Sequence, residues 1–519
     1  MHLLRYRSGI AQRRANAVMF IKNFLLRCGN AIRATLVCAS DGLRARTAPT
    51  TRASTSEVSA GLGVNFALSG VRRTAVLGAV GLVWLIAAGA GSACAQVVWP
   101  LTPEMESPWN AQRVFETVPF APRWGVSGLE EILPEDTPVK TRLPEGYEPV
   151  GVRAGTWMFV PSLTIGGLYT SNAFATPTNK QSDIALQVRP MLRAYTLWEG
   201  NSIELQADAQ SESYKRNPGL DSLDASFKGR GKFELGHDAA ILTNFRVAQL
   251  HDAVGSLTSP AGAVEPTPYT YILGDATYWK RFNRLSVSTG ARIESYDYGS
   301  TRAQNGSIID QSSRDGQIYT GHGRIEYVFT PSFGIFGAVE GNRRELRGTP
   351  DRPLSSEGYR ALAGISFELS RLIWGEVGFG YADQQFDSPA IGPVTGPAYR
   401  AQLVWRPTRT VDVKFKAESI ITQAVDTDAT GIRADNLQMS VDYEFRRNVI
   451  LSLGLIYEKD QFIGLTRKDN VYATLAEVRY LLNRHWTVSL RHQYTNRDSN
   501  IPASTYDKHE IGLNVAAQF

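Results

Sequence analysis

In LDASFKGRGKFEL, residues 223–235, small or apolar residues alternate one for one with polar ones. Leu223, Ala225, Phe227, Gly229, Gly231, Phe233 and Leu235 form one row, and Asp224, Ser226, Lys228, Arg230, Lys232 and Glu234 form the other. Successive side chains of a strand point to opposite faces, so this segment has one apolar and one charged face. VDVKFKAES (411–419), LQMSVDYEF (437–445) and WTVSLRHQY (486–494) repeat the pattern. Strands of soluble proteins average about 5–6 residues, whereas a tilted membrane-spanning strand needs about 9–11. Many segments here alternate for nine residues or more. In HEIGLNVAAQF (509–519) the alternation persists to Phe519, where a soluble chain usually frays.

The connections alternate too. Short polar turns are predicted near Glu199-Gly200, Gly236-His237, Asn283, Pro331, Ser370-Arg371, Pro407, Arg447 and Asn483. Between them lie longer Gly-, Asp-, Thr- and Pro-rich stretches around 170–182, 214–221, 252–268, 297–316, 343–357, 384–397, 422–434, 459–470 and 496–507. Eight short turns and nine long loops give about 18 strands, with 16 also compatible with the spacing. Short turns on one side and long loops on the other are expected of an outer-membrane barrel.

Energetics choose which row meets lipid. A Lys or Arg near the bilayer midplane costs roughly 2–4 kcal/mol, so Asp412, Lys414, Lys416 and Glu418 must face inward. No sheet edge can stay unpaired in hydrocarbon, so the sheet must close. The final strand is therefore expected to pair with the first, near Trp157 to Tyr169. The predicted fold is all-β, a closed antiparallel transmembrane β-barrel over 156–519. The basic residues expected to line its lumen are Lys228, Arg230, Lys232, Arg246, Arg292, Arg324, Lys414, Lys416 and Arg491. Their acidic counterparts are Asp208, Asp224, Glu326, Asp412, Glu418, Asp442 and Glu444. Rings of such charge set solute selectivity in channels, although any wet barrel needs a polar interior, and mixed signs argue against strong ion selectivity. Tyr169, Tyr278, Trp279, Tyr327, Phe329, Trp374, Trp405, Tyr443, Phe445, Tyr457, Tyr480 and Trp486 fall near predicted strand ends, where interfacial belts place aromatics.

Composition by itself suggests an ordinary globular chain, with 20% charged residues among 519 and a net charge of +5. The charge is unevenly placed. Twelve Lys/Arg and two Asp/Glu precede residue 96, leaving 43 basic and 48 acidic residues beyond it. The basic excess belongs to the leader and does not point to nucleic acid. Cys28, Cys38 and Cys94 also precede residue 96, so a chain starting there needs no disulfide in an oxidising compartment.

VRRTAVLGAVGLVWLIAAGAGSACAQ (71–96) has a positive end, an apolar run and an Ala93-Cys94-Ala95 site. Residues 71–95 read as a secretory signal cleaved between Ala95 and Gln96; an uncleaved anchor is the rival reading. Residues 1–70 read as sequence upstream of the true start, with an organelle-type transit peptide as the alternative. Residues 96–155 are Pro-rich and acidic and read as a periplasmic segment: a flexible linker first, otherwise an extended arm, a partial plug or a docking segment.

GVRAGTWMFVPSLTIGGLYTSNAFAT (151–176) carries a narrower likeness. Gly151, Arg153, Gly155, Pro161-Ser162-Leu163, Gly166, Tyr169, Ser171-Asn172 and Phe174-Ala175-Thr176 resemble the first strand of the putative beta-barrel porin 2 family of outer-membrane proteins. The resemblance implies a bacterial outer-membrane protein; the even strand count and the alternation of short turns with long loops place both barrel ends at the periplasm and the long loops outside. It implies that Phe519 is a signal to the barrel assembly machinery, and a setting of exopolysaccharide export or surface biogenesis. Outer-membrane lipid, lipopolysaccharide and periplasmic polysaccharide-export proteins are the expected partners. The family supplies no catalytic or binding residues to transfer.

There is no G-x-S-x-G, Walker loop or H-E-x-x-H. His237, His251, His322, His485, His492 and His509 lack metal-ligand spacing. DTDATGIRADNL (426–437) opens like a calcium loop with Asp426, Asp428 and Gly431, but its twelfth position is Leu437 where a bidentate Glu is required. No cofactor or metal is expected, and no enzyme. The leading expectation is a porin-like channel for hydrophilic solutes, an exported polysaccharide among them. The alternative is a closed surface barrel whose loops bind partners; an outer-membrane enzyme, assembled from dispersed Ser, His and acidic residues, ranks below both.

Overall fold

The computed structural model describes residues 138–519, apart from 141, 257, 261, 350–352, 371, 389–391 and 423–430. The expectations for 1–70, the signal at 71–95, cleavage at Ala95 and Gln96, most of 96–155, and Asp426 and Asp428 lie outside the described residues.

Alternation over so many segments produces eighteen long strands of 12 to 16 residues. In chain order they are β1 Trp157–Thr170, β2 Asp183–Thr196, β3 Ser202–Tyr214, β4 Ser222–Glu234, β5 Ala239–Asp252 and β6 Thr267–Phe282. Then come β7 Leu285–Tyr298, β8 Gly316–Thr330, β9 Phe333–Leu346, β10 Ser356–Ser370, β11 Ile373–Phe386 and β12 Val394–Thr408. The last six are β13 Val411–Thr422, β14 Gly431–Arg446, β15 Val449–Ile463, β16 Lys468–Leu481, β17 Trp486–Ser499 and β18 Tyr506–Gln518. Each pairs antiparallel with the next. β1 also pairs with β18, from Ser162 opposite Gln518 to Thr170 opposite Glu510, which closes the barrel. The Phe519 N–H donates to the Pro161 carbonyl at 3.1 Å, carrying closure one residue further. The strand count is 18, not 16.

All eight short turns lie at one end and all nine long loops at the other. The two-residue turn after β6 has Asn283 at φ +58°, a left-handed conformation that Asn tolerates better than most residues. Several loops are shorter than in the sequence reading, and at two boundaries the structure shows why. Pro407 does not form its turn, because β12 runs to Thr408 with its register shifting between Trp405 and Thr408. A proline that cannot donate to the ladder is accommodated at such an irregularity. The loop expected over 459–470 shrinks to 464–467, because β15 continues to Ile463 while the buried Phe462 packs with Ile432 and Ala434 and its N–H reaches the Arg467 carbonyl at 3.1 Å.

Within each strand one parity is exposed and apolar: Leu163 and Ile165 on β1, Ile325 and Tyr327 on β8, Leu453 and Leu455 on β15, Ile511, Leu513 and Val515 on β18. On β13 Phe415 is 39% exposed, while Asp412 and Glu418 are 2% exposed. This inverts the usual arrangement of a water-soluble protein and is what a closed sheet in lipid requires. Most of the expected girdle aromatics share the exposed parity, but Trp279 and Trp374 do not. Trp279 is buried, since its neighbour Tyr278 takes the outward position, and Trp374 lies beneath the Arg406 guanidinium on the inner side. Adjacent residues on a strand cannot both face lipid.

Leu453→Arg places a cation on the outer face at mid-strand and is expected to lower stability by about 2–4 kcal/mol. Urea titration of the barrel in lipid checks this; a change below about 1 kcal/mol would contradict the assignment of that face.

Candidate pore lining

The charged parity forms an ion-paired lattice on the barrel's inner face. On β3 to β5, Glu204 accepts from Arg193 and from Arg230 at 3.4 Å. Asp208 takes the Ser226 hydroxyl at 3.1 Å and lies 3.8 Å from Arg189. Lys232 pairs with Glu234 at 2.8 Å, and Asp224 bonds His251 Nδ1 at 2.8 Å. Lys228 and Arg246 are register partners on neighbouring strands.

Further round, Arg292 approaches Asp275 at 3.4 Å. Arg324 joins Glu326 at 3.0 Å and Glu376 at 2.8 Å, and its guanidinium lies 3.9 Å from the Phe336 ring centroid. That ring lies flat because β10 and β11 present glycines beneath it. An added Cβ would fall 2.6 Å from Phe336 Cζ at Gly364 and 3.0 Å at Gly378. Glu418 gathers Arg360 at 3.0 Å, Arg400 at 2.9 Å and Lys416 at 3.6 Å, and Arg360 also pairs with Glu340. Asp412 takes Arg406 at 3.1 Å, Asp442 accepts from Ser452 at 2.5 Å, and Arg491 donates to Gln493 at 2.8 Å. Lys414 lies in register with Val404 and Ser440.

Several partners escaped the sequence reading, among them Glu204, Asp275, Glu340, Arg360, Glu376 and Arg400. They share the inward parity, but Gly and Ala dilute the alternation around them, as in FGAVEGNRREL and EGYRALAGISF. Only the register reveals that Glu340 opposes Arg360 and that Arg400 opposes Glu418.

At each mouth a segment outside the strands bonds to inward-facing side chains. At the short-turn end the chain ahead of β1 lies against the inner wall of β13 to β16. The Val139 N–H donates to Asp412 Oδ2 at 2.6 Å, and Val139 is buried. Arg142 donates to Glu444 at 2.8 Å and to the Arg409 carbonyl, and Arg479 donates to the Lys140 carbonyl at 3.2 Å. Burial holds the Lys140 ammonium below its ordinary pKa, against the pull of Glu477. At the long-loop end the Gly255 carbonyl, in the connection that follows β5, accepts from Arg497 of β17 at 3.1 Å.

Among the described residues no three His, Cys, Asp or Glu side chains are placed to hold a metal ion.

A closed sheet with an apolar exterior and a lattice of charge inside defines an outer-membrane barrel. The chain belongs to the putative beta-barrel porin 2 family, whose pattern matches residues 144–519. No curated protein matches it. Similar solved structures include OccK2 (OpdF) of Pseudomonas aeruginosa in complex with glucuronate, 12% identical over 70% of this chain and 98% of that one, TM-score 0.40. A BenF-like porin from Pseudomonas fluorescens is 13% identical over 70% and 99%, TM-score 0.38. The siderophore receptor PirA from Acinetobacter baumannii is 7% identical over 69% and 80%, TM-score 0.39.

Removing the Glu418 carboxylate takes a shared partner from three cations. Glu418→Ala is expected to cost about 3 kcal/mol. The Arg360→Ala, Glu418→Ala double variant should cost less than the sum of its singles by about 1 kcal/mol or more. Denaturant titrations of the four-member cycle measure this, and additive losses would remove the coupling.

Proposed function

We propose that the barrel is a channel for hydrophilic solutes in the bacterial outer membrane, with its long loops extracellular and both barrel ends at the periplasm. The observation that carries this reading is the inner lattice around Glu418, Glu340 and Glu326. Charges in such number need close partners, water, or both to stay ionised; the lattice supplies the partners, and a water-filled passage supplies the rest. Their mutual pairing leaves little net field, which fits a path of weak ion selectivity for solutes that hydrogen-bond. Lys228, Arg230, Lys232, Arg246, Arg292, Arg324, Lys414, Lys416 and Arg491 line it with Asp208, Asp224, Glu326, Asp412, Glu418, Asp442 and Glu444. A polysaccharide passed on by periplasmic export proteins is one solute of that chemistry. Phe519, at the closing seam, serves as the signal read by the assembly machinery.

A second reading follows from the segment seated in the short-turn mouth. There residues 138–150 act as a partial plug, held by Asp412 and Glu444. With the plug in place the barrel is closed and its outer loops do the work; with it displaced, the barrel conducts.

Two measurements in planar bilayers test these readings. The chain from residue 96 should give open-channel steps, and deleting 96–143, or Arg142→Ala, should raise their conductance. Silence of both would leave the closed surface barrel. In a salt gradient, Arg230→Ala and Arg491→Ala should move the reversal potential toward cation selectivity, since each removes a fixed positive charge; unchanged potentials would take these residues out of the ion path.

A further inference from the structure

We propose that the long-loop end of the inner wall holds a binding subsite for an acidic sugar, a pyranose bearing a carboxylate or a phosphate, with Arg344 and Arg433 as its anion-binding groups. The proposal rests on the channel reading above and names what that channel recognises.

Register builds the subsite. Three inward rows cross β7 to β12 one above the other. The first carries Glu294, Ile318, Arg344 and Ser356. The second carries Arg292, Thr320, Asn342, Gly358 and Gln384. The third carries His322, Glu340, Arg360, Ala382 and Gly396. Ala382 and Gly396 keep the wall low there, and a cavity of about 250 Å³ opens beside them, lined also by Tyr296 and Tyr298.

Most charge in this cavity is already matched. Arg292 has Asp275, Arg314 has Asp252 at 3.0 Å, and Arg360 has Glu340 and Glu418. Arg344 and Arg433 differ. Arg344 donates to the Ile421 carbonyl at 2.7 Å and to Asn342 Oδ1 at 3.3 Å. Arg433 donates to the Pro397 carbonyl at 2.9 Å. Among the described residues neither guanidinium has a carboxylate within ion-pairing distance. Each is thus anchored by neutral acceptors while most of its five donors remain open. Open guanidinium donors suit a carboxylate or phosphate, which they can grip with two parallel bonds.

The surroundings hold these groups in place. A Cβ at residue 396 would fall 2.4 Å from Arg433 Nη1, so Gly396 keeps room for that guanidinium. Asn342 and Gln384 exchange amide hydrogen bonds of 3.2 Å in both directions, and Gln384 donates to Ser356 at 2.9 Å. Tyr296 and Tyr298, which also line the cavity, lie nearly parallel, 7° apart with centroids at 6.2 Å, and the Arg314 guanidinium already covers Tyr298 at 3.7 Å, which leaves Tyr296 as the ring a ligand can meet. Tyr271 and Tyr296 tie their hydroxyls to Glu294 at 3.0 and 3.3 Å. The negative face of a tied-back ring attracts the polarised C–H bonds on the flat side of a pyranose. A tyrosine ring and two guanidiniums that have no carboxylate partner among the described residues line one cavity, and together they select a ligand that is ring-shaped and anionic.

Binding is measured without current, so a channel that fails to conduct can still bind. The chain from residue 96, folded in detergent micelles, is titrated calorimetrically with trigalacturonate, glucose 6-phosphate, inorganic phosphate and the neutral maltotriose. At least one acidic sugar should bind about tenfold or more tighter than maltotriose and inorganic phosphate, as expected of charge-assisted bonds; which one does so identifies the acid that is read. Arg344→Gln with Arg433→Gln should erase that preference while the barrel keeps its heat-modifiable mobility in detergent gels. Tyr296→Ala should weaken the acidic sugar more than inorganic phosphate. The proposal is overturned by equal affinity for acidic and neutral sugars, by inorganic phosphate matching the sugars, or by a folded double variant that binds as the parent does.

Discussion

Hydrocarbon offers no partner to a backbone N–H or C=O, so every such group in a spanning sheet must be satisfied by another strand. For this chain the decisive pairing is that of its two ends. β1 and β18, separated by the whole barrel sequence, meet from Ser162 opposite Gln518 to Thr170 opposite Glu510. Without it the sheet would expose two ladders of unpaired groups to lipid. The last residues cannot fray, because they complete the seam.

Closure has a second consequence. Once the sheet is a cylinder, each strand has one face toward lipid and one toward the lumen. Charge is thereby concentrated on the inner face, and the strands that bear it are held at fixed spacing. Glu418, with Arg360, Arg400 and Lys416 around it, shows the result: a carboxylate compensated from several strands. Such a lattice ties neighbouring staves together inside while hydrogen bonds tie them along their edges. It also makes Arg344 and Arg433 conspicuous, since among the described residues nearby cations find carboxylates while these two find carbonyls and an amide.

The two mouths are built differently. At the short-turn end the inner contact comes from outside the barrel strands, in the chain around Val139 and Arg142, held by a few polar contacts. At the long-loop end it comes from the connection 253–266 and from a wall of tyrosines stacked between β6 and β7. The first comes from the chain ahead of the sheet, whereas the second is continuous with the strands themselves.

Much of the barrel was legible from residue order, because a strand in lipid must alternate and alternation is a local property. LDASFKGRGKFEL shows both faces of β4 without any knowledge of its neighbours, and HEIGLNVAAQF announces a strand at the chain end. Side-to-side alternation of turns and loops likewise shows in composition. Local pattern failed at two aromatics expected in the girdle: Trp279, because its neighbour Tyr278 takes the outward position, and Trp374, which has the inward parity of its strand and lies beneath Arg406. It failed more broadly for partnership. Which carboxylate meets which arginine depends on register, and Arg360 with Glu418 or Arg142 with Glu444 are neighbours only after the sheet has curved and closed. The sequence by itself determined that this chain is a membrane barrel with a charged interior. The tertiary structure decided which of those charges cancel, which stay open, and where a segment from ahead of the first strand comes to lie, because those are distances across a cylinder and not intervals along a chain.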